Sequence, residues 1–325
     1  MILGRRRFLL TAGAAACAAA LGRTASAQTY PARPVRIIVA TTAGGSTDIA
    51  ARLIAQWLTE KLGQSFVVEN RPGGNNNVGT ELAAHSPADG YTLFMANSVN
   101  SINAVLYKKL GYDFIADFTP IVHFMRSPIL MMVHPSVPAK TVPEFIAYAK
   151  ANPNKISMAS GGTGSSGHLA GELFMMRTGV KLIHVPYRGE SVAMTDVLAG
   201  QPQMVFATSG SSIAFVKSGA VRALAVTSTA RVEQLPDVPA MAEFLPGYEA
   251  SGWSGLCAPK NTPAAIVALL NKQVNDALAT ADIRNKIASM GGTAPGGSPA
   301  DFAKYIGDEV GKWTDVVAFA GIKVE

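Results

Sequence analysis

Short β-rich runs alternate with amphipathic helical runs along this chain, and the alternation starts twice. That grammar confines it to the α/β class, with helices packed on mostly parallel sheets. Val35 to Ala40 reads as a strand and Thr41 to Thr47 as a loop. Ile49, Leu53, Trp57, Leu58 and Leu62 then recur at helical spacing, with Gly63 as the stop. Phe66 to Val68 and Tyr91 to Ala96 supply two more strands. The pattern restarts after Pro138, with strands at Lys155–Ala159, Leu182–Val185, Met204–Ala207 and Ala223–Thr227. Helices are expected at His168–Arg177, Ser191–Leu198 and Ser209–Lys217. The architecture repeats; the sequence does not.

The C-terminal part is helical. Thr262-Pro263 begins one helix, with Pro at the first helical position and Ile266, Leu269, Leu270, Val274 and Leu278 on one face. Ser298-Pro299 begins another, striped by Phe302, Ile306, Val310, Trp313 and Val317. These helices are expected to cover the first lobe. Residues 28–126 and 252–325 would then form lobe one, and residues 127–251 lobe two. The chain would cross near Val122–Val133 and return near Tyr248–Leu256. Two crossings make a hinge, with a cleft between the lobes.

The start of the chain sets the expected compartment. Arg5, Arg6 and Arg7 precede an apolar stretch from Phe8 to Leu21, and Ala25-Ser26-Ala27 offers a cleavage site. Residues 1–27 therefore read as a secretory signal of twin-arginine type, which implies the periplasm. A membrane anchor is the alternative, but the apolar run is short of the roughly 20 residues a span needs. Cys17 belongs to the segment expected to be removed. Loss of Arg5, Arg6, Arg7 and Arg23, with no acids, takes the formal charge from +6 to +2. Such a small charge makes no case for nucleic acid. Cys257 alone would remain, so no intramolecular disulfide is expected. The processed chain is expected to be a monomer without a cofactor.

Two glycine- and hydroxyl-rich loops each follow a strand and open a helix. The first is Thr41, Thr42, Ala43, Gly44, Gly45, Ser46, Thr47 and Asp48. The second is Ser160, Gly161, Gly162, Thr163, Gly164, Ser165 and Ser166, ending at Gly167. A helix N-terminus carries unpaired N–H groups and partial positive charge, so it suits an anion. Two such loops facing each other would grip a carboxylate. The plainer reading is a pair of ordinary N-caps. His168, in the first turn after the second loop, is a capping or packing residue, or else a ligand contact. Asp48 complements its helix dipole, or else pairs with an amino or hydroxyl group of a ligand.

Gly162, Gly164 and Gly167 also spell GxGxxG, so a nicotinamide-dependent enzyme is a rival reading. The following strand ends His184-Val185-Pro186-Tyr187-Arg188, without the acidic residue that would hold a ribose. No Ser sits in GxSxG, and His85, His123, His134, His168 and His184 show no metal-ligand spacing. The expectation is a binding protein rather than an enzyme.

The ordered stretches Tyr30–Val35, Ala43–Asp48, VVENRPGGNNNVGTE (67–81), DGYTL (89–93), GGTGSSGHLAGELF (161–174), HVPYRGES (184–191), VLAGQPQMVF (197–206), ALAVTSTAR (223–231), LPDVPAMAE (235–243) and GWSGLCAPKNTPAAIV (252–267) resemble the Bug receptor family. These are the TctC-like periplasmic substrate-binding proteins of tripartite tricarboxylate transporters. The resemblance implies a two-lobed, type II flytrap that holds a small carboxylate in its cleft. It implies delivery to a large and a small integral membrane permease subunit, or a sensor that feeds a signalling system. Carried onto this chain, the contacts are the two loops above, with Asn97, Ser98, Thr208 and Ser209 at the ends of further strands. Thr41 and Thr42 stand where many relatives carry Pro and a bulky residue. Gly73 to Asn77 replaces the usual Gly-Ala-Gly-Gly.

Overall fold

A computed structural model describes residues 30–322 of the protein; the proposed signal, residues 1–27, lies outside them. Two five-stranded sheets organise the chain. The first contains β1 (Val35–Val39), β2 (Phe66–Asn70), β3 (Thr92–Asn97), β4 (Phe118–Ser127) and β10 (Gly252–Pro259), in the order β2-β1-β3-β10-β4. The second contains β5 (Ile129–Val133), β6 (Ser157–Ser160), β7 (Ile183–Pro186), β8 (Met204–Thr208) and β9 (Arg222–Val226), in the order β7-β6-β8-β5-β9. In each sheet four strands run the same way and one, β10 in the first and β5 in the second, runs against them. The first sheet is thus more mixed than its sequence suggests, because β10 returns from the second lobe to insert between β3 and β4. This is a two-lobed α/β fold, the flytrap expected from the sequence.

The helices are α1 (Ser46–Leu62), α2 (Asn77–Ala84), α3 (Ser98–Leu106), α4 (Val142–Ala151), α5 (Ser166–Thr178), α6 (Glu190–Leu198), α7 (Ser209–Lys217), α8 (Ala264–Ala279), α9 (Ala281–Ser289) and α10 (Pro299–Ala320). Gly63 and Gly179 end α1 and α5 in the left-handed conformation, at φ 70° and 71°. Only glycine adopts that conformation without steric cost. Ser298 caps α10, with Pro299 as its first helical residue. Pro263, by contrast, is the N-cap of α8 and lies just outside the helix.

Each sheet buries both faces. The first packs Val35, Ile37 and Val39 against α1, α8 and α9, through residues such as Ile54, Leu270 and Ile287. Its other face joins Ile38 and Phe94 to Trp253, Phe302 and Ile306. The long helix α10 does not cover the first lobe alone. Trp313 and Val316, in its C-terminal half, enter the core of the second lobe with Met131, Phe174 and Phe206. Its 22 residues span about 33 Å, enough to reach both lobes.

The lobes join where β4 ends at Ser127 and β5 begins at Ile129. Thr227, fully buried, ties this crossing to the returning one. Its hydroxyl lies 2.9 Å from Ile129 N, which donates to it, and it donates to Ala250 O at 2.8 Å.

Candidate ligand-binding cleft

The C-terminal ends of the parallel strands in both sheets point to one place, the usual ligand position in an open α/β sheet. A cavity of about 160 Å³ lies there. Thr41, Ser46, Thr47, Asn97 and Ser98 line it from the first lobe, and Ser166 and Thr208 from the second. Asn76, Val99, Met125, Ser127, Gly252, Trp253 and Ser254 complete the wall. Among the described residues, no charged side chain lines it. The lobes touch here: the hydroxyls of Ser98 and Ser166 lie 2.8 Å apart.

The first loop is stretched open by Asp48. Its carboxylate accepts the Gly44 N–H at 2.8 Å, Arg52 Nε at 3.0 Å and Asn70 Nδ2 at 2.9 Å. Asn70 also donates to the Thr41 carbonyl at 3.1 Å. Burial pushes the Asp48 carboxyl up, but the hydrogen bonds from Arg52, Gly44 and Asn70 outweigh it and hold the group below the usual range. Asp48 is 2 % exposed and does not line the cavity; it shapes the loop. Gly44 has a φ of +84°, which an L side chain rarely adopts. The N-cap of α1 is Gly45, so no side chain caps the helix. Ser46 and Thr47, whose first-turn N–H groups no side chain caps, line the cavity.

The second loop satisfies itself. The Ser165 hydroxyl caps α5 by accepting the His168 N–H at 3.3 Å. Gly164 N–H donates to His168 Nδ1 at 3.1 Å, and His168 Nε2 lies 3.3 Å from Glu172. Nδ1 thus accepts, which places the ring proton on Nε2. His184 stacks on His168 with ring centroids 3.7 Å apart, and its Nε2 lies 2.6 Å from the Ser160 hydroxyl. Burial, reinforced by His168, pushes the His184 imidazole down to about 4. Gly162 N–H goes to the same Ser160 hydroxyl at 3.1 Å.

The glycines of GxGxxG have packing roles here. A Cβ on Gly167 would sit 2.1 Å from the Phe206 carbonyl, so glycine lets α5 lie directly on β8. A Cβ on Gly164, whose φ is +79°, would sit 2.6 Å from Leu106 in the other lobe. The glycine lets the two lobes meet.

The other helix starts at the cavity are held too. The Asn97 side chain caps α3 by accepting Val99 N–H at 3.0 Å. At α7, the Glu190 carboxylate accepts the Thr208 N–H at 3.1 Å and its hydroxyl at 2.7 Å. Ser209 N–H donates to Pro128 O at 2.9 Å. Among α1, α3, α5 and α7, side chains cap α3 and α5 and none caps α1 or α7; at α7 the Ser209 N–H goes to Pro128 O, which leaves the start of α1 the more open. Near it, three buried polar atoms have no partner among the described residues: Thr41 Oγ1, Asn97 Nδ2 and Ser254 Oγ. All three residues line the cavity.

The predicted residues separate into three groups. Thr41, Ser46, Thr47, Asn97, Ser98, Ser166 and Thr208 line the cavity. Thr42, Ala43, Gly44, Gly45 and Thr163 are exposed loop residues. Asp48, Ser160, His168 and Ser209 are buried and bonded elsewhere, and Gly161, Gly162, Gly164 and Ser165 build the second loop behind Ser166. Asn76, Ser127, Trp253 and Ser254 were not anticipated. Trp253 and Ser254 reach the site because β10 inserts beside β3, a pairing the sequence does not announce.

A two-lobed α/β fold with a polar cleft between its lobes is the architecture of a solute-binding receptor. Comparison agrees. The family described as tripartite tricarboxylate transporter family receptor (TctC) matches residues 50–322. Protein BugT of Bordetella pertussis is 36 % identical over 321 residues, 98 % of this chain and 96 % of that protein. The structure of Rpa4515 of R. palustris with adipate has a TM-score of 0.83 at 37 % identity, covering 90 % of this chain and 99 % of that one. MatC from Rhodopseudomonas palustris with bound malate has a TM-score of 0.79 at 30 % identity, covering 89 % and 100 %. The chain belongs to the TctC family of tripartite tricarboxylate transporter receptors.

Proposed function

We propose that this protein is exported to the periplasm, closes around a small carboxylate and delivers it to the two membrane subunits of a tripartite permease. The observation that carries the reading is the uncapped start of α1 beside Thr41 Oγ1, Asn97 Nδ2 and Ser254 Oγ. A carboxylate seated there accepts N–H groups from Ser46 and Thr47, gains from the helix dipole, and supplies the acceptor those donors lack. Ser166 and Thr208 offer hydroxyls from the second lobe. Among the described residues no Arg or Lys lines the cavity, so affinity rests on neutral donors arranged in advance. The volume suits a short-chain acid, and the relatives holding adipate and malate support that class.

The lobes close about the crossings at Pro128 and at Ala250–Ser251, which Thr227 holds together. The test begins with mass spectrometry of small molecules released from the purified protein, followed by a thermal-shift screen of mono-, di- and tricarboxylates. A short-chain acid that raises the melting temperature and shrinks the radius in solution scattering supports the reading. Saturating binding of a nicotinamide nucleotide, with no response to any acid, would overturn it. Loss of uptake of that acid on deletion of the permease subunits tests delivery.

A further inference from the structure

A second cavity, of about 490 Å³, shares no lining residue with the cleft. It lies beside the first interlobe crossing, against β4, the edge strand of the first sheet. Residues 293–297 form a strap over that edge. Arg126 and Thr293 exchange backbone hydrogen bonds at 2.9 and 2.8 Å, and Gly296 N–H donates to the His123 carbonyl at 3.0 Å. The strap leaves a pocket between itself, β4 and the first turns of α10.

Aromatic rings make the floor. His123 stacks on Phe302 at 5.3 Å and tilts over Tyr305 at 4.4 Å. The Arg126 guanidinium lies 4.9 Å from the Tyr305 ring centre. Three side-chain polar atoms in this group are buried without a partner among the described residues: His123 Nε2, Arg126 Nε and Tyr305 OH. His123 is only 5 % exposed. Buried donors are almost always paired, and leaving one unpaired is costly. Burial holds the His123 ring neutral and its one N–H is turned to the Met125 backbone, so Nε2 is an acceptor; Arg126 Nε and Tyr305 OH are the two that can donate, and they suit something that accepts from them.

The surrounding charges show what that is. Glu249 is held by Lys312 at 3.0 Å, and Glu309 accepts from the indole N–H groups of Trp253 and Trp313 at 3.2 Å and from Lys312. Asp301, on the rim, accepts the Ser298 N–H and hydroxyl at 2.9 and 2.7 Å. The acidic neighbours are thus engaged, whereas Arg126 forms no ion pair among the described residues. A cation beside a phenol donor, over aromatic walls, selects a flat anion.

We propose that this cavity is a second binding site, taking a small aromatic carboxylate with its charge on Arg126 and Tyr305 and its ring against His123, Phe302 and the strap. The site does not rest on the function assigned to the cleft. Benzoate is the probe, titrated calorimetrically into the unsubstituted protein, Arg126→Met and the cleft variant Gly45→Asp. The expected result is binding that survives Gly45→Asp within about twofold and weakens at least about tenfold in Arg126→Met. Binding lost in Gly45→Asp and kept in Arg126→Met would place benzoate in the cleft and overturn the proposal. Absence of binding to the unsubstituted protein at millimolar benzoate would also overturn it. If Arg126→Met melts early, a benzoate-soaked crystal of the unsubstituted protein decides. Density on Arg126 supports the site, and density confined to the cleft rejects it.

Discussion

The two glycine-rich loops look alike in sequence and differ in their hydrogen bonding. The second, from Ser160 to Ser166, spends its donors on itself: Ser165 caps α5, His168 takes the Gly164 N–H, and Ser160 takes that of Gly162. The first gives α1 a glycine N-cap and no side-chain partner, while Asp48 ties the loop down from behind. One loop is a finished wall, the other an open seat. Serine and glycine at a helix start are therefore ambiguous, because either can close the helix or leave it for a ligand. The asymmetry also revises the symmetric clamp that two matched loops suggest. We propose that the first lobe holds the charge and the second shapes the space.

The largest expected effect comes from putting a charge in the open seat. Gly45 has a φ of −77°, and a Cβ there meets nothing nearer than the Thr42 carbonyl at 3.7 Å. Gly45→Asp should fold normally and weaken a verified acid at least tenfold. Like charges 4 Å apart cost about 4 kcal/mol at an effective dielectric constant of 20. Calorimetry with an unchanged ligand-free melting temperature is the expected pair of results.

In the second loop the same kind of substitution should act on stability. Gly162 has a φ of +126°, and its Cβ would press on the Tyr187 carbonyl at 3.1 Å. Gly162→Ala should cost about 1–3 kcal/mol of ligand-free stability by denaturant melts, whereas Gly45→Ala should cost almost none. Equal losses in the two variants would break the comparison. A smaller effect is expected from Ser165→Ala, which removes the cap of α5. It should cost about 1 kcal/mol of stability and leave affinity for the acid nearly unchanged.

The gentlest probe is pH. His184, beneath the second loop, titrates at about 4, and His123, in the first lobe, at about 3. Both are depressed first by burial, then by a neighbour: His168 for His184 and Arg126 for His123. An unfolded histidine binds its proton near pH 6.5, so below that pH the unfolded state takes up protons the folded state refuses. Stability should therefore fall as the pH drops from about 6.5 toward 4. His184→Gln should flatten part of that slope, and an unchanged slope would mean that the stacked pair does not control it.

Much of this fold is legible in the sequence. Val35–Val39 and Met204–Thr208 are apolar runs that only a buried strand explains, and Gly63 and Gly179 stop helices where left-handed residues are needed. Helix α2 is harder to see, because it opens after Asn75 and Asn76, both at positive φ, in what reads as a loop. Also hidden is the second role of α10, whose Trp313 and Val316 serve the other lobe. Within the site, strand ends mark Thr41, Asn97 and Thr208. They do not show that Glu190 takes the Thr208 N–H from 18 residues away. Nor do they bring Ser254 of β10 opposite Asn97 of β3. Those pairings are made by topology, which periodicity cannot reveal.

The most direct test is a crystal structure with the acid that the thermal-shift screen identifies. The account predicts one carboxylate oxygen within about 2.7–3.2 Å of the Ser46 or Thr47 N–H, with Thr41, Asn97 or Ser254 completing its contacts. A carboxylate held instead by the Ser165–His168 turn, with the start of α1 untouched, would contradict it.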